Sequence, residues 1–356
     1  MLVSLINAIA RPLNFLGLSE GFINWAMGEK FCWLDNIYDI FSSQQKQRLT
    51  LLLPGYGCAW AKRSGGCTMC GFGKKLAEVH QKYRGLFRIG ANDFAGLYRV
   101  AERLSAKQKP ESLYVYNGGS FLNSDEIPLL SQLAIAKSVG QHKSLDSLFV
   151  ESRPEFINSL SLARLTDELK GKVLEIGIGL EAVDDRIREV LIRKGFSRDD
   201  YEQAVKTCKK RGVKVLTYVF LKPLGLTEAE AIDEAVKTIK YAFKTGTDEV
   251  SLSCAFIQPG TPMHEAYLAG KFKPPWLWSI IEVLKRTKDF GPVRVGSFND
   301  EPPPIAKPKN CGVCSYLTEK AIDKYNLSRN LDELINLSCQ CRDTWQKEAD
   351  NQKSPR

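Results

Sequence analysis

Six short apolar runs set the rhythm of this chain, at residues 49–56, 113–117, 146–151, 173–181, 213–220 and 248–257. They are rich in Val, Ile, Leu, Phe and Tyr, which suit a pleated backbone. Segments with helical apolar spacing separate them, at roughly 93–106, 125–138, 155–169, 184–194, 199–211 and 228–245. Thr227 precedes Glu228 and Glu230 at one helix start, while Lys209, Lys210, Arg211 and Gly212 close the helix before it. This alternation predicts βαβ units and a parallel sheet. The runs are continuously apolar, as expected of strands covered on both faces. Six such units predict an α/β fold, either a partial (β/α)6 barrel of the TIM type or an open doubly wound sheet. In both, loops at the carboxyl ends of the strands build the site.

A chain of 356 residues, 44% hydrophobic, can bury a core of that size. We read an N-terminal extension at 1–48, the barrel at 49–300, a Cys-rich segment at 301–346 and a polar, frayed tail at 347–356. In the extension, Phe22, Ile23, Trp25 and Ala26 predict a short amphipathic helix, and Asp35 to Phe41 a further turn. Past the last run come a proline-rich passage at 258–275, a helix at 276–290 and a strand at Val293–Phe298. The prolines at 302–304 and Pro308 mark the boundary to the Cys-rich segment. No apolar stretch approaches the roughly 20 residues that span a bilayer. Met1–Ala10 is apolar but lacks a basic flank, so it reads as structure and not as a signal peptide. The expectation is a cytoplasmic protein with no membrane partner.

The ten cysteines are unevenly placed. Cys58, Cys67 and Cys70 fall within thirteen residues just past the first run, and no further cysteine follows until Cys208. A closed structural site takes four protein ligands, whereas three thiolates suit a four-iron cluster with one iron left open for chemistry. Gly55, Gly57, Gly65, Gly66, Gly71 and Gly73 let the loop wrap a bulky group. The competing reading is a zinc site completed by His80. Cys311, Cys314, Cys339 and Cys341 form a complete ligand set, read as structural zinc pinning the C-terminal segment to the barrel, with an auxiliary iron–sulfur cluster as the other reading. Cys32, Cys208 and Cys254 read as core thiols.

Other strand ends point polar groups to the same rim. The second run leads into Asn117-Gly118-Gly119-Ser120, the third into Glu151-Ser152-Arg153-Pro154, and the fourth is Glu175-Ile176-Gly177-Ile178-Gly179-Leu180-Glu181. Tyr218, Phe220 and Lys222 end the fifth and suit either a substrate pocket or the core.

Together with the cysteine loop, these stretches resemble the radical S-adenosylmethionine (SAM) superfamily over about residues 49–300, in the branch containing the Elongator catalytic subunit. The wide spacing of Cys58 and Cys67 is shared with that branch. Gly66-Cys67-Thr68-Met69-Cys70-Gly71-Phe72 looks closest to the radical-SAM subunit of archaeosine synthase, a family acting on a tRNA 7-deazaguanine that carries a lysine adduct. The resemblance implies that Cys58, Cys67 and Cys70 ligate a [4Fe–4S] cluster whose open iron chelates SAM. It implies that Gly118, Gly119 and Ser120 form the turn contacting the methionine amine, although Ser120 stands where an acidic residue is common. Glu151, Arg153 and Glu181 match positions that contact the ribose or methionine portion. Reductive cleavage of SAM would then give a 5′-deoxyadenosyl radical, with electrons from a flavodoxin or ferredoxin type donor. The implied reaction is a lyase-type cleavage of a carbon–nitrogen bond, leaving an amidine on the base, with a partner protein presenting the tRNA.

A net charge of +9 and the residues Lys62, Arg63, Lys74, Lys75, Lys82, Arg84 and Arg88 around the cysteine loop suit an RNA substrate. Basic residues are equally common on solvated helix faces. Two other functions therefore stay open: a radical SAM enzyme acting on a small molecule or protein, and a zinc-stapled RNA-binding protein without catalysis.

Overall fold

The computed structural model describes residues 32–53, 56–72, 102, 107–297 and 303–351. Among them, eight strands form one sheet whose spatial order is the order of the chain. β1 (Cys32–Asp39) and β2 (Gln44–Leu52) make an antiparallel hairpin. β3 (Ser112–Tyr116), β4 (Ser147–Glu151), β5 (Val173–Glu181), β6 (Lys214–Leu221), β7 (Glu249–Cys254) and β8 (Val293–Val295) then follow in parallel. The six predicted runs correspond to β2–β7, and the architecture is a half-barrel with a Cys-rich cluster near its C-terminus.

The connecting helices are α1 (Ala59–Ser64), α2 (Leu129–Gln141), α3 (Ser159–Leu169), α4 (Arg198–Lys210), α5 (Glu228–Thr245), α6 (Pro262–Leu268) and α7 (Leu277–Thr287). Local chemistry sets several starts. Asn158 with Ser161, Ser197 with Asp200 and Thr227 with Glu230 each form a reciprocal capping box, which satisfies otherwise orphaned helix N–H groups. Where the apolar spacing at 184–194 predicts an α-helix, residues Ile187–Ile192 form a π-turn capped by left-handed Arg193 at φ 63°.

Two further expectations are corrected. Asp35–Phe41 is not a turn: most of it is β1, and Arg48 pairs with Asp35 across the hairpin at 2.5 Å. Asp35, Asn36 and Asp39 interrupt the apolar pattern that would mark this strand, and it is the ladder to β2 that holds it. As far as Asn351 the tail is helical and not frayed: α10 (Cys341–Asn351) runs past Lys347, with Trp345 3% exposed and donating to Ser279 Oγ at 2.8 Å, while residues 352–356 lie outside the described residues. The amphipathic segment at 22–26, the helix at 93–106 (except Glu102), His80 and the basic residues 74–88 lie outside the described residues.

The convex face of the sheet buries Leu, Ile and Val side chains beneath the helices. Across the inside, Tyr114 stacks on Phe149 at 4.4 Å beside Leu216, Tyr116 and Tyr218. A Cβ on Gly177 would lie 2.7 Å from the Phe149 ring and 3.0 Å from Tyr218, so this glycine admits the aromatic layer. α8 (Ser315–Ser328), followed by the one-turn α9 (Asp332–Ile335), packs against both β1 and β8. Asn326 accepts from the Val295 N–H and donates to its carbonyl, both at 2.9 Å, which covers the edge strand.

Charged groups also enter the interior. Burial pushes the Glu175 carboxyl from its ordinary 4.5 up to about 8, with Arg294 opposing and Glu249 adding. The folded protein therefore keeps a proton that the unfolded chain has released. The associated stability is fully present below pH 4.5 and is lost as pH rises to about 8. A tenfold difference in proton affinity between the folded and unfolded chain is worth about 1.4 kcal/mol. Glu175→Gln stays neutral throughout, so thermal unfolding across this pH window should show a shallower decline than in wild type. Equal slopes would contradict the assignment.

Candidate functional site

The cysteine loop leaves the carboxyl end of β2, where the Leu53 N–H donates to the Tyr116 carbonyl at 2.7 Å. Cys58 is the extended residue before α1, and Gly65 and Gly66, at φ 81° and 80°, turn the chain back to Cys67. A side chain at Gly66 would be strained by that φ and would meet Ala61 Cβ at 3.1 Å. Cys58 and Cys67 are half-buried and Cys70 is exposed.

Several parts of the barrel hold this loop in place. Thr68 donates its N–H to the Ile192 carbonyl at 2.9 Å and its hydroxyl to Leu191 O at 2.7 Å. Gly71 N–H donates to Gln258 Oε1 at 2.5 Å from beyond β7. Ala59 N–H donates to Glu126 Oε1 at 3.0 Å. Trp60 donates its indole N–H to Arg193 O at 2.9 Å, and the Arg153 and Arg63 guanidinium groups lie 4.9 and 5.3 Å from its ring. A Cβ on Gly195, at φ 66°, would fall 2.0 Å from the Trp60 ring. Gly195→Ala should therefore displace Trp60 and α1, costing about 2–4 kcal/mol. Thermal unfolding and iron retention after reconstitution should both fall; wild-type values in both would exclude this clamp.

The sequence-predicted residues converge on the same rim. Gly118 takes φ 63°, and Gly119 approaches so closely that a Cβ there would lie 3.2 Å from the Cys58 Cα. Ser120 Oγ accepts from the Arg153 N–H at 3.2 Å. Glu151 ends β4 beside Tyr218, whose hydroxyl burial and this carboxylate push well above its ordinary value. Arg153 spends its guanidinium on Glu155 at 2.6 Å, Lys194 O at 2.8 Å and Gly195 O at 3.4 Å, and so fixes the turn that supports Trp60. Glu181, at φ 66°, pairs with Lys194 at 3.1 Å, and Gly179 leaves room for the pair.

Lys194, Glu126 and Gln258 are the residues the sequence did not reveal. Burial pulls the Lys194 ammonium down, but Glu181 and then Cys67 outweigh it and the net shift is upward. Burial pushes the Cys67 thiol up, and Lys194 opposes it. Asn117 Oδ1 and Gln258 Nε2 are buried without a hydrogen-bond partner. These orphaned groups sit on residues beside the glycine turn and against the cysteine loop. Glu126 is one of two adjacent acids in Asn123-Ser124-Asp125-Glu126 and offered no distinguishing signal, since turn acids are common.

The second cysteine group is assembled. The Sγ atoms of Cys311, Cys314, Cys339 and Cys341 lie within 4.8 Å of one another and can hold a metal ion. Close pairs measure 3.6 Å for Cys311–Cys314 and for Cys311–Cys339, and 3.5 Å for Cys314–Cys341. The Cys314 and Val313 N–H groups pull the Cys311 thiol down to about 6. Trp278 donates its indole N–H to Cys341 Sγ at 3.3 Å. Among the described residues this is the group so gathered; Cys58, Cys67 and Cys70 are not drawn to single-ion spacing.

Residues 52–238 match the Radical SAM superfamily. The chain belongs to this superfamily. Archaeosine synthase subunit beta of Methanosarcina acetivorans is 31% identical over 87% of each chain. Archaeosine synthase subunit beta of Thermococcus kodakarensis is 27% identical over 85% of this chain and 92% of that one. Among solved structures, Elp3 of Methanocaldococcus infernus is similar at a TM-score of 0.48 and 20% identity, over 66% of this chain and 60% of that one. Membership makes the chain a radical SAM enzyme and implies a [4Fe–4S] cluster and SAM. The residues present fit such a pair. Three thiols stand on one loop, the Gly118-Gly119 turn approaches Cys58 closely, and Asn117 and Gln258 each carry a buried polar atom without a hydrogen-bond partner. Among the described residues no helix is long and apolar enough to cross a membrane.

Proposed function

We propose that this enzyme modifies tRNA by the archaeosine-type reaction, cleaving a carbon–nitrogen bond in a lysine adduct on a 7-deazaguanine base to leave an amidine. The observation that carries this reading is the 31% identity to an archaeosine synthase subunit beta across 87% of both chains. Bound together, the cluster and SAM supply a 5′-deoxyadenosyl radical on reduction. In this reading Cys58, Cys67 and Cys70 hold the cluster. Gly118, Gly119 and Ser120 receive the methionine amine, and Glu151, Arg153 and Glu181 shape the remainder of the SAM site. The chain's part in the chemistry is to fix these contacts on strand ends and to keep water from the reacting atoms.

The relatives are named as subunits, which supports a partner protein that presents the tRNA. Electrons come from a flavodoxin or ferredoxin type donor, in the cytoplasm. We assign zinc to the four C-terminal cysteines. A tetrahedral zinc with bonds of about 2.3 Å sets its sulfurs about 3.8 Å apart. The observed 3.5–3.6 Å pairs lie near that spacing, and the thiolates of a four-iron cube stand much farther apart.

Gene deletion followed by nucleoside mass spectrometry of total tRNA tests the substrate. The expected result is loss of the modified 7-deazaguanosine with accumulation of its lysine adduct, restored by the wild-type gene. An unchanged nucleoside profile would remove tRNA and favour a small-molecule or protein substrate.

A further inference from the structure

Glu126 lies between β3 and α2, is 1% exposed, and takes no part in the motifs described above. Its carboxylate accepts from four donors. Oε1 receives the Ala59 N–H at 3.0 Å and Asn123 Nδ2 at 3.1 Å. Oε2 receives the Ser120 N–H at 2.6 Å and Asn117 Nδ2 at 3.4 Å. Ala59 is the residue after Cys58, and Ser120 closes the Gly118-Gly119-Ser120 turn. A Cβ on Gly119 would fall 1.9 Å from Glu126 Oε2, so the carboxylate occupies space that only glycine leaves open. All four partners are donors, and a carboxylate can accept from every one of them. A glutamine in its place would set an NH2 against an N–H.

We propose that Glu126 is a positioning residue that fixes Cys58 relative to the Gly118-Gly119-Ser120 turn before the cofactor arrives. The inference rests on the reading of that turn as the SAM contact. A ligand that spans an iron held by Cys58 and an amine site on the turn needs both at one separation. Hydrogen bonds that tie the two segments in advance spare the ligand the entropy of ordering them. Asn117 and Asn123 hold the carboxylate from their side, so the tie is stiff.

Anaerobically reconstituted full-length wild type, Glu126→Gln and Ala59→Pro test this. Ala59 is the first residue of α1 and Cys58 is extended at φ −67°, ψ 123°, which is where a proline is accepted. Ala59→Pro therefore removes the N–H to Glu126 without opposing the helix, and it decides the matter should Glu126→Gln not fold. The readouts are iron and sulfide per chain, SAM affinity by equilibrium dialysis, and the low-temperature electron paramagnetic resonance spectrum of the reduced cluster with and without SAM. Both variants should retain wild-type iron yet bind SAM roughly tenfold more weakly, with a smaller SAM-induced spectral change. Unchanged affinity and spectral change in cluster-loaded variants would overturn the proposal. So would loss of iron in both, since Glu126 would then serve cluster retention. A wild-type protein that holds a cluster but binds no SAM would overturn the underlying reading as well, and is recognised before any substitution is compared.

Discussion

Cys67→Ala should strip the anaerobically purified protein of its brown colour and of about four irons per chain, and abolish formation of 5′-deoxyadenosine under strong reductant. Cys67 is half-buried in the barrel rim and faces the positive Lys194. With it gone, two thiolates remain on a loop built for three, and neither Asn117 nor Gln258 offers a thiolate in exchange. The loss should leave thermal unfolding little changed. Thr68, Trp60, Gly71 and Ala59 hold the loop to the barrel by hydrogen bonds that do not involve the Cys67 side chain. Iron retained at wild-type stoichiometry, or 5′-deoxyadenosine still produced, would defeat the assignment. A colourless wild-type protein carrying zinc at this loop would instead revive the stapled RNA-binding reading.

Cys341→Ser should have the largest effect on folding. Cys341 begins α10, and four residues on Trp345 donates to Ser279 Oγ at 2.8 Å. Ser279 donates in turn to Glu228, the buried carboxylate that also holds Lys222 at 2.5 Å and the Trp276 N–H at 2.9 Å. The segment that carries the four gathered cysteines is thus joined to the carboxyl end of β6 through Trp345, Ser279 and Glu228. Binding energy at a four-thiolate site is folding energy for the segment that supplies it. The variant should lose about one zinc per chain and open the region of α8–α10 to proteases. Its unfolding midpoint should fall by on the order of 10 °C. Unfolding of α8 would also uncover β8, whose Val295 groups Asn326 satisfies. Iron at wild-type level in the first site of this variant would show the two centres to be independent. A protease pattern and midpoint identical to wild type would exclude a structural metal.

The alternation of apolar runs and helical segments determined a parallel α/β sheet covered on both faces, but curling into a half-barrel and lying open as a doubly wound sheet fit that pattern equally well, and the fold decided between them. The thiol counts, three and then four, set the expectation of one open and one closed centre, because ligand number reflects chemistry and is written in the residues themselves. The capping boxes at Ser197 and Thr227 were equally local, and α4 and α5 start where they dictate. The groups that position the three-cysteine loop depend on contacts across long stretches of chain. In β1 the polar residues Asp35, Asn36 and Asp39 break up the apolar ones, and pairing with β2 holds the strand. Glu126 meets Ala59 across 67 positions, and Gly71 meets Gln258 across 187. Gly195 looks like any turn glycine until Trp60 is placed against it. Lys194 is one lysine among many in the sequence, and it matters because folding brings Glu181 and Cys67 to its buried ammonium. A residue's own chemistry is visible in a string of letters, but the donor that fills a lone pair or the ring that needs an absent Cβ is supplied by the fold.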